Sequence, residues 1–342
     1  MRVGILTSGG DCPGLNAVIR AVVLRGLTEH NVEVVGFRNG WTGVLNEDFV
    51  PLGRTEVRGL SKVGGTIIGT SRVNPYEGER GGPQNIAKVL EKHEIDGIIV
   101  IGGEGSLSAA NDLHRDGINV IGVPKTIDND LSATDYSFGF DTAVNIATEA
   151  MDRLRTTGDS HDRCMVAEVM GRHVGWIALH AGIAAGAQVI CIPEFPMSLE
   201  EICEYVTLTH DRGRAPLVVV SEGFILKGMD EAHSELGLDE AGRPRLGGIG
   251  AVLAPQIQRI TGIETRATVL GYIQRGGSPS GFDRVLATRL GLKALDVFVD
   301  QAWGQMVSLR GTDIVRVPLS DAVDSLNSVP LSRYERASTL FG

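Results

Sequence analysis

Short apolar runs rich in β-branched residues alternate along the chain with stretches of helical periodicity. Residues 3–6 form the first run, and a glycine-rich turn follows it. Residues 15–27 then read as a helix, 32–37 as a strand, 86–93 as a helix, 97–102 as a strand, 106–113 as a helix and 120–123 as a strand. A long helical stretch covers 141–155, and the pattern restarts near residue 160. Strands are expected over 164–170, 189–192, 217–221 and 265–270, with helices over 176–185, 199–210 and 249–261 between them. Such alternation predicts mostly parallel sheets with helices on both faces, and two successive series predict two three-layer α/β domains. Residues 227–247 are polar and read as a surface excursion. Ligands of these folds sit beyond the carboxyl ends of the strands, so the residues after each strand hold the functional information.

Three of those strand ends stand out. The first reads Leu6-Thr7-Ser8-Gly9-Gly10-Asp11-Cys12-Pro13-Gly14, a strand passing through small residues into a helix start. It offers main-chain N–H groups and a positive helix end to an anion, although a tight packing turn has the same composition. The second reads Ile101-Gly102-Gly103-Glu104-Gly105-Ser106. Its carboxylate suits Mg²⁺, or merely offsets the helix dipole. The third reads Val123-Pro124-Lys125-Thr126-Ile127-Asp128-Asn129-Asp130 and puts a cation and two carboxylates directly after a strand. Phosphoryl transfer to a hydroxyl needs a carboxylate that takes the proton and a cation near the moving group, although a solvated turn with an Asx cap has similar residues.

Composition narrows the classes. With 342 residues there is room for more than one domain. A net charge of −10 argues against a general nucleic-acid binder and requires local Arg or Lys wherever phosphate is held. Cys12, Cys164, Cys191 and Cys203 form no Cys-x-x-Cys pair and are expected as free thiols of a reducing cytoplasm. The histidines show no metal-ligand spacing, no apolar run reaches membrane-spanning length, and the amino terminus enters a strand-like run without the features of a targeting segment. The turn after the first strand is neither a Walker A loop nor the dinucleotide Gly-x-Gly-x-x-Gly pattern, which disfavours an oxidoreductase.

With these turns in order, the chain resembles the phosphofructokinase family, and its overall look is closest to the actinobacterial branch. Further strings carry the resemblance: Gly64-Gly65-Thr66, Thr70-Ser71-Arg72, Met170-Gly171-Arg172, Ser221-Glu222-Gly223, and Thr265-Arg266-Ala267-Thr268-Val269-Leu270-Gly271-Tyr272-Ile273-Gln274-Arg275-Gly276-Gly277. The match runs from Gly4 to about Gly311. It implies two Rossmann-like domains with the active site in the cleft between them. Residues 1–138 plus about 274–323 would take the phosphoryl donor, and 139–273 plus about 324–342 the fructose 6-phosphate. The implied reaction moves a phosphoryl group from Mg-ATP to the sugar 1-hydroxyl, with Asp128 as general base. Gly10, Arg72, Val73, Gly103, Glu104, Gly105 and Ser106 would line the nucleotide, with Glu104 on Mg²⁺ where the family usually has Asp. Arg72 and Arg172 would stabilise charge on the transferring group. Arg163, Arg266 and Arg275 would hold the sugar phosphate through forked, permanently charged donors. Thr126, Ile127, Met170, Gly171, Glu222 and Tyr272 would contact the sugar, Tyr272 replacing a His common in bacterial relatives. Arg163 and Arg266 would reach in from a neighbouring subunit, so the resemblance implies a homo-oligomer, a tetramer with a dimer as its smallest active unit.

Two positions bear on the donor. Relatives that use pyrophosphate usually carry Asp where this chain has Gly105, and Lys where it has Lys125. An acidic side chain at the first would crowd and repel a nucleotide α-phosphate, and glycine leaves that space open. The chain therefore mixes the two patterns, with ATP favoured and a pyrophosphate-dependent enzyme as the alternative. A non-catalytic sensor of nucleotide or sugar phosphate is the reading from another class. Arg20, Arg54 and Arg155 match the family's effector arginines, whereas Leu24 occupies a usually basic position beside Arg25. Control by phosphoenolpyruvate or a nucleotide is the corresponding expectation.

Overall fold

A computed structural model describes residues 1–229, 232, 237 and 246–342, so most of the 227–247 excursion lies outside the described residues. In chain order the elements are β1 (Arg2–Thr7), α1 (Leu15–Arg25), β2 (Glu33–Phe37), α2 (Trp41–Asn46), β3 (Phe49–Pro51), α3 (Pro83–Lys92), β4 (Gly97–Gly102), α4 (Glu104–Arg115), β5 (Val120–Thr126), β6 (Phe138–Gly139), α5 (Phe140–His161), β7 (Cys164–Val169), α6 (Trp176–Ala184), β8 (Val189–Cys191), α7 (Leu199–Asp211), β9 (Leu217–Ser221), α8 (Ile249–Thr261), β10 (Thr265–Val269), α9 (Gly281–Val299), β11 (Gln305–Arg310), β12 (Asp313–Pro318), α10 (Leu319–Val323) and α11 (Leu331–Ser338).

The chain divides into two compact α/β units. One comprises Met1–Asp141 and Arg275–Leu326, the other Thr142–Gln274 and Asn327–Gly342. In the first unit the sheet runs β12-β11-β5-β4-β1-β2-β3, and β6 also pairs with β5. β1, β2, β4, β5 and β11 are parallel where they pair, and only the outer strands β3 and β12 run antiparallel. β4 reads Gly-Ile-Ile-Val-Ile-Gly and is buried at every position, as a strand covered on both faces must be. Its Ile98 joins Phe37, Trp41, Ile86 and Leu107 in one apolar cluster. Each such side chain withdrawn from water stabilises the fold by about 1.5–3 kcal/mol.

The second unit has a four-stranded parallel sheet ordered β10-β7-β9-β8. Its core joins Val166, Val218 and Val220 of the sheet to Ile249, Leu253 and Ile257 of α8. α7 starts on a capping box, in which Ser198 and Glu201 satisfy each other's main-chain N–H.

β5 differs from the sequence expectation, which ended it at residue 123. The strand continues through Pro124 to Thr126, with Gly102 level with Pro124 and Lys125 level with Phe138 of β6. Proline lacks only its own N–H, so the ladder survives it where that donor is not needed. Lys125 and Thr126 thus leave from a strand rather than from a loose turn. Among the described residues no helix is long and apolar enough to cross a membrane. All four cysteines are buried free thiols.

Candidate active site

In the first unit, the ends of β4 and β5 and the loop through Thr70 and Ser71 converge on the glycine turn after β1. Ser8 N–H donates to the Ile101 oxygen at 3.0 Å, and Gly9 N–H to the Ser71 oxygen at 2.9 Å. Thr70 Oγ1 donates to the Gly9 oxygen at 2.7 Å, and Ser106 Oγ to Ser8 Oγ at 3.0 Å. Gly9 has φ +83°, a conformation that glycine adopts without cost. Lys125 Nζ donates to the Gly10 oxygen. Gly10, Ser106, Lys125 and the segment leading to Arg72 are therefore tied together by hydrogen bonds.

α4 begins at Glu104, with Gly103 before it and no side-chain cap. The first N–H groups of this helix have no partner within it and carry its positive end. Gly105 lies in the first turn, and a Cβ there would meet nothing within 4 Å. Packing does not demand glycine at this position. Val73 is exposed on the segment that follows Arg72.

Beyond β5 the chain turns tightly. Asp128 N–H donates to Thr126 Oγ1 at 3.0 Å, and Asn129 adopts φ +54°. Ser137 braces the turn, donating from N to Asn129 Oδ1 at 2.9 Å and from Oγ to the Thr126 oxygen at 2.8 Å. Asp128 is buried, and its Oδ1 has no hydrogen-bond partner. Asp130 Oδ1 is also buried without one. Burial pushes the Asp130 carboxyl above its usual range, and the Asp128 carboxylate adds to the rise, with Glu104 a smaller contributor. Burial pushes the Lys125 ammonium down to about 8, Arg275 adds to that fall, and Asp128 and Asp11 oppose it.

The Glu104 and Asp128 carboxylates suit Mg²⁺ chemically. They are hard, acceptor-only oxygens, and no cage of three or more ligands exists among the described residues. Mg²⁺ ordinarily takes one or two carboxylates and completes its shell with water and phosphate. Ile127 differs from the rest of its segment. Its side chain is fully buried in the core, so only its main chain is available to a ligand.

Arg275 belongs to the first unit and packs on the same glycine turn. Its Nη1 donates to the Asp11 oxygen at 3.3 Å, and a Cβ on Gly10 would lie 2.8 Å from that nitrogen. Gly10 is thus also the residue that leaves room for a guanidinium, a role its sequence context does not announce.

In the second unit, Met170, Gly171 and Arg172 follow β7, and Glu222 follows β9. Gly171 has φ +143° and Arg172 φ +50°. Glu222 Oε1 accepts from Arg172 N–H at 3.1 Å, and Met170 N–H donates to Gln274 Oε1 at 3.4 Å. Gly223 is the tightest point, because a Cβ there would lie 1.7 Å from the Arg172 oxygen. Tyr272 is 74% exposed on the short 3-10 turn Gly271–Arg275.

Arg163 and Arg266 lie at the other end of this sheet. Arg163 immediately precedes β7, and Arg266 is level with Met165. At about 3.3 Å per residue, the seven steps from Arg163 to Met170 span roughly 20 Å, beyond an arginine's reach. Both arginines instead meet Glu264, a residue that no motif in the sequence marks. Arg163 Nε lies 2.8 Å from Glu264 Oε2, and Arg266 Nη2 donates to Glu264 Oε1.

Of the expected effector arginines, Arg155 donates from Nη2 to the Ala185 and Gly186 oxygens at 3.0 and 2.5 Å. Arg25, beside Leu24, is already engaged within the chain. Its guanidinium is held by Asp296 at 2.8 Å and by Glu29.

The chain is similar to known proteins over its whole length. A pyrophosphate--fructose 6-phosphate 1-phosphotransferase of Amycolatopsis methanolica is 57% identical over 342 residues, covering 100% of both chains. An ATP-dependent 6-phosphofructokinase of Mycobacterium bovis is 50% identical over 345 residues, again covering 100% of both. A crystal structure of Pichia pastoris phosphofructokinase in the T-state superposes with a TM-score of 0.83 at 31% identity, over 99% of this chain and 36% of that one. The phosphofructokinase family pattern matches residues 2–298, and the chain belongs to the phosphofructokinase family.

Proposed function

We propose that this protein transfers the γ-phosphoryl group of ATP to the 1-hydroxyl of fructose 6-phosphate. The glycine turn, Arg72, Val73 and the start of α4 bind the donor. Mg²⁺, when bound, would neutralise phosphate charge, and Glu104 is the residue that would hold it. Asp128 accepts the hydroxyl proton as the sugar oxygen attacks phosphorus, and ADP leaves with the bridging oxygen. Its partnerless Oδ1 supports this role, because a buried acceptor is normally satisfied by protein and here is open to a substrate hydroxyl. Lys125 and Arg172 offset the negative charge of the moving group.

The separation of Arg163 from Met170 along one sheet supports a homo-oligomer. Arg163 and Arg266 cannot share a sugar phosphate with the carboxyl-end residues of their own sheet, so they serve a neighbouring subunit. A tetramer built on such dimers is the assembly we favour, acting in the cytoplasm.

The observation that carries ATP over pyrophosphate is Gly105. Nothing within 4 Å would oppose a side chain there, so its absence leaves volume for a nucleotide rather than relieving a clash. The second reading is a pyrophosphate-dependent enzyme. It is favoured by Lys125 and by the pyrophosphate name of the 57% identical relative, against the ATP name of the 50% identical one. Initial rates with each donor and fructose 6-phosphate, with and without Mg²⁺, separate them. Turnover with pyrophosphate and none with ATP would overturn the first reading.

A further inference from the structure

Glu264 joins the two arginines that sit at the amino end of the second unit's sheet. Its main-chain oxygen accepts from Cys164 N–H at 2.9 Å, which sets Glu264 level with Arg163 across the parallel pair β7–β10. One carboxylate oxygen is ion-paired with Arg163 Nε at 2.8 Å, without the alignment of a hydrogen bond, and the other accepts from Arg266 Nη2. Arg266 is held again where its Nη1 donates to the Thr265 oxygen at 3.2 Å. Arg266 also lines an open depression of about 520 Å³, together with Gln258 and Arg259.

We infer that Glu264 is a positioning residue that preorganises Arg163 and Arg266 for the sugar phosphate. This rests on the reading above that the two arginines bind that phosphate. Two guanidinium groups side by side repel each other, and each belongs to a long, rotamer-rich side chain. A carboxylate between them removes the repulsion and fixes both forks before the ligand arrives, so less ordering remains to be done on binding. The Arg163 and Arg266 guanidiniums hold the Glu264 carboxyl below its usual range.

Two other roles make different predictions. A cross-strand pair that only supports the fold would change melting and not substrate affinity. A carboxylate that competes with phosphate would, when removed, tighten substrate binding.

Steady-state kinetics of the full-length protein with Glu264→Ala and Glu264→Gln test the inference, with Arg163→Ala and Arg266→Ala alongside. The expected result for Glu264→Ala is a KM for fructose 6-phosphate raised about tenfold, with kcat and the donor KM within about twofold. Glu264→Gln keeps one acceptor oxygen, folds with the least disturbance, and should recover part of the loss. An unchanged or lowered KM in both Glu264 variants overturns the inference. An unchanged KM in both arginine variants overturns the sugar-phosphate reading on which it rests, and the arginine variants identify that failure separately.

Discussion

Lys125 closes the glycine turn of the first unit by donating from Nζ to the Gly10 oxygen, at a position only 4% exposed to solvent. A cation is thus held against the segment that would receive the donor phosphates, and it is held at a cost. Burial brings the ammonium down from 10.5 to about 8. Between those values the unfolded chain binds more protons than the folded one, so stability should rise with pH across that window. Turnover should fall there, because the charge that serves the phosphoryl group is being lost. Lys125→Met is expected to slow turnover about tenfold and to abolish both pH dependences. Rate profiles and denaturant unfolding from pH 7 to 10.5 check this. An unchanged turnover number in the variant removes Lys125 from the mechanism.

Gly105→Asp should fold like the parent, since a Cβ at that position meets nothing within 4 Å. The new carboxylate would face the α-phosphate of a nucleotide and repel it in a partly desolvated site. We expect kcat/KM for ATP to fall about a hundredfold or more, while any pyrophosphate activity is kept. The two donors assayed in parallel, with melting curves as the folding control, decide it. Full ATP activity in this variant contradicts the donor argument.

The parallel strands were legible because both of their faces are buried. A run such as Ile98 to Ile101 admits few other interpretations. The antiparallel hairpin β11–β12 was not, since β12 alternates partly covered and exposed positions at a sheet edge. Candidate residues at or just beyond the end of β5 were legible from their types, Lys125 and Asp128, whereas Arg172 came only with the family resemblance. Their constraints were not, because those depend on register and long-range approach. That Glu264 stands level with Arg163 follows from pairing Cys164 with Thr265, 101 residues apart in sequence. That Arg275 covers Gly10 follows from packing between segments 265 residues apart. The burial of Ile127 was masked by its place in a polar string.

Asp128→Asn should abolish most turnover, with a loss on the order of a thousandfold, as expected when a general base is replaced by an amide. Fructose 6-phosphate should still bind. The same change should stabilise the fold. Asp130 is raised by burial and by the Asp128 carboxylate, so ionising both costs stability. That cost is absent below Asp130's ordinary value of 3.8 and grows as pH rises through its raised one. The variant should therefore gain melting temperature relative to the parent at pH 7, and the gain should vanish near pH 4. Melting curves at the two pH values, with substrate titrations at neutral pH, check both halves.

Gly223→Ala probes the turn that presents Arg172. A Cβ there would lie 1.7 Å from the Arg172 oxygen, which is main chain and cannot swing aside as a side chain would. The turn is already constrained, with Gly171 at φ +143°, Arg172 at φ +50°, and Glu222 accepting from the Arg172 N–H. Overpacking of this kind costs about 3 kcal/mol, and melting should drop by roughly 5–10 °C. Because the displaced atom belongs to Arg172, kcat should fall more than the donor KM changes. Glu222→Gln keeps an acceptor for the Arg172 N–H and should leave melting close to the parent. Its effect should fall on fructose 6-phosphate affinity instead. If Gly223→Ala lowered melting but left kcat intact, the position of Arg172 would not matter to transfer, and the arginine would have to be assigned to ground-state binding.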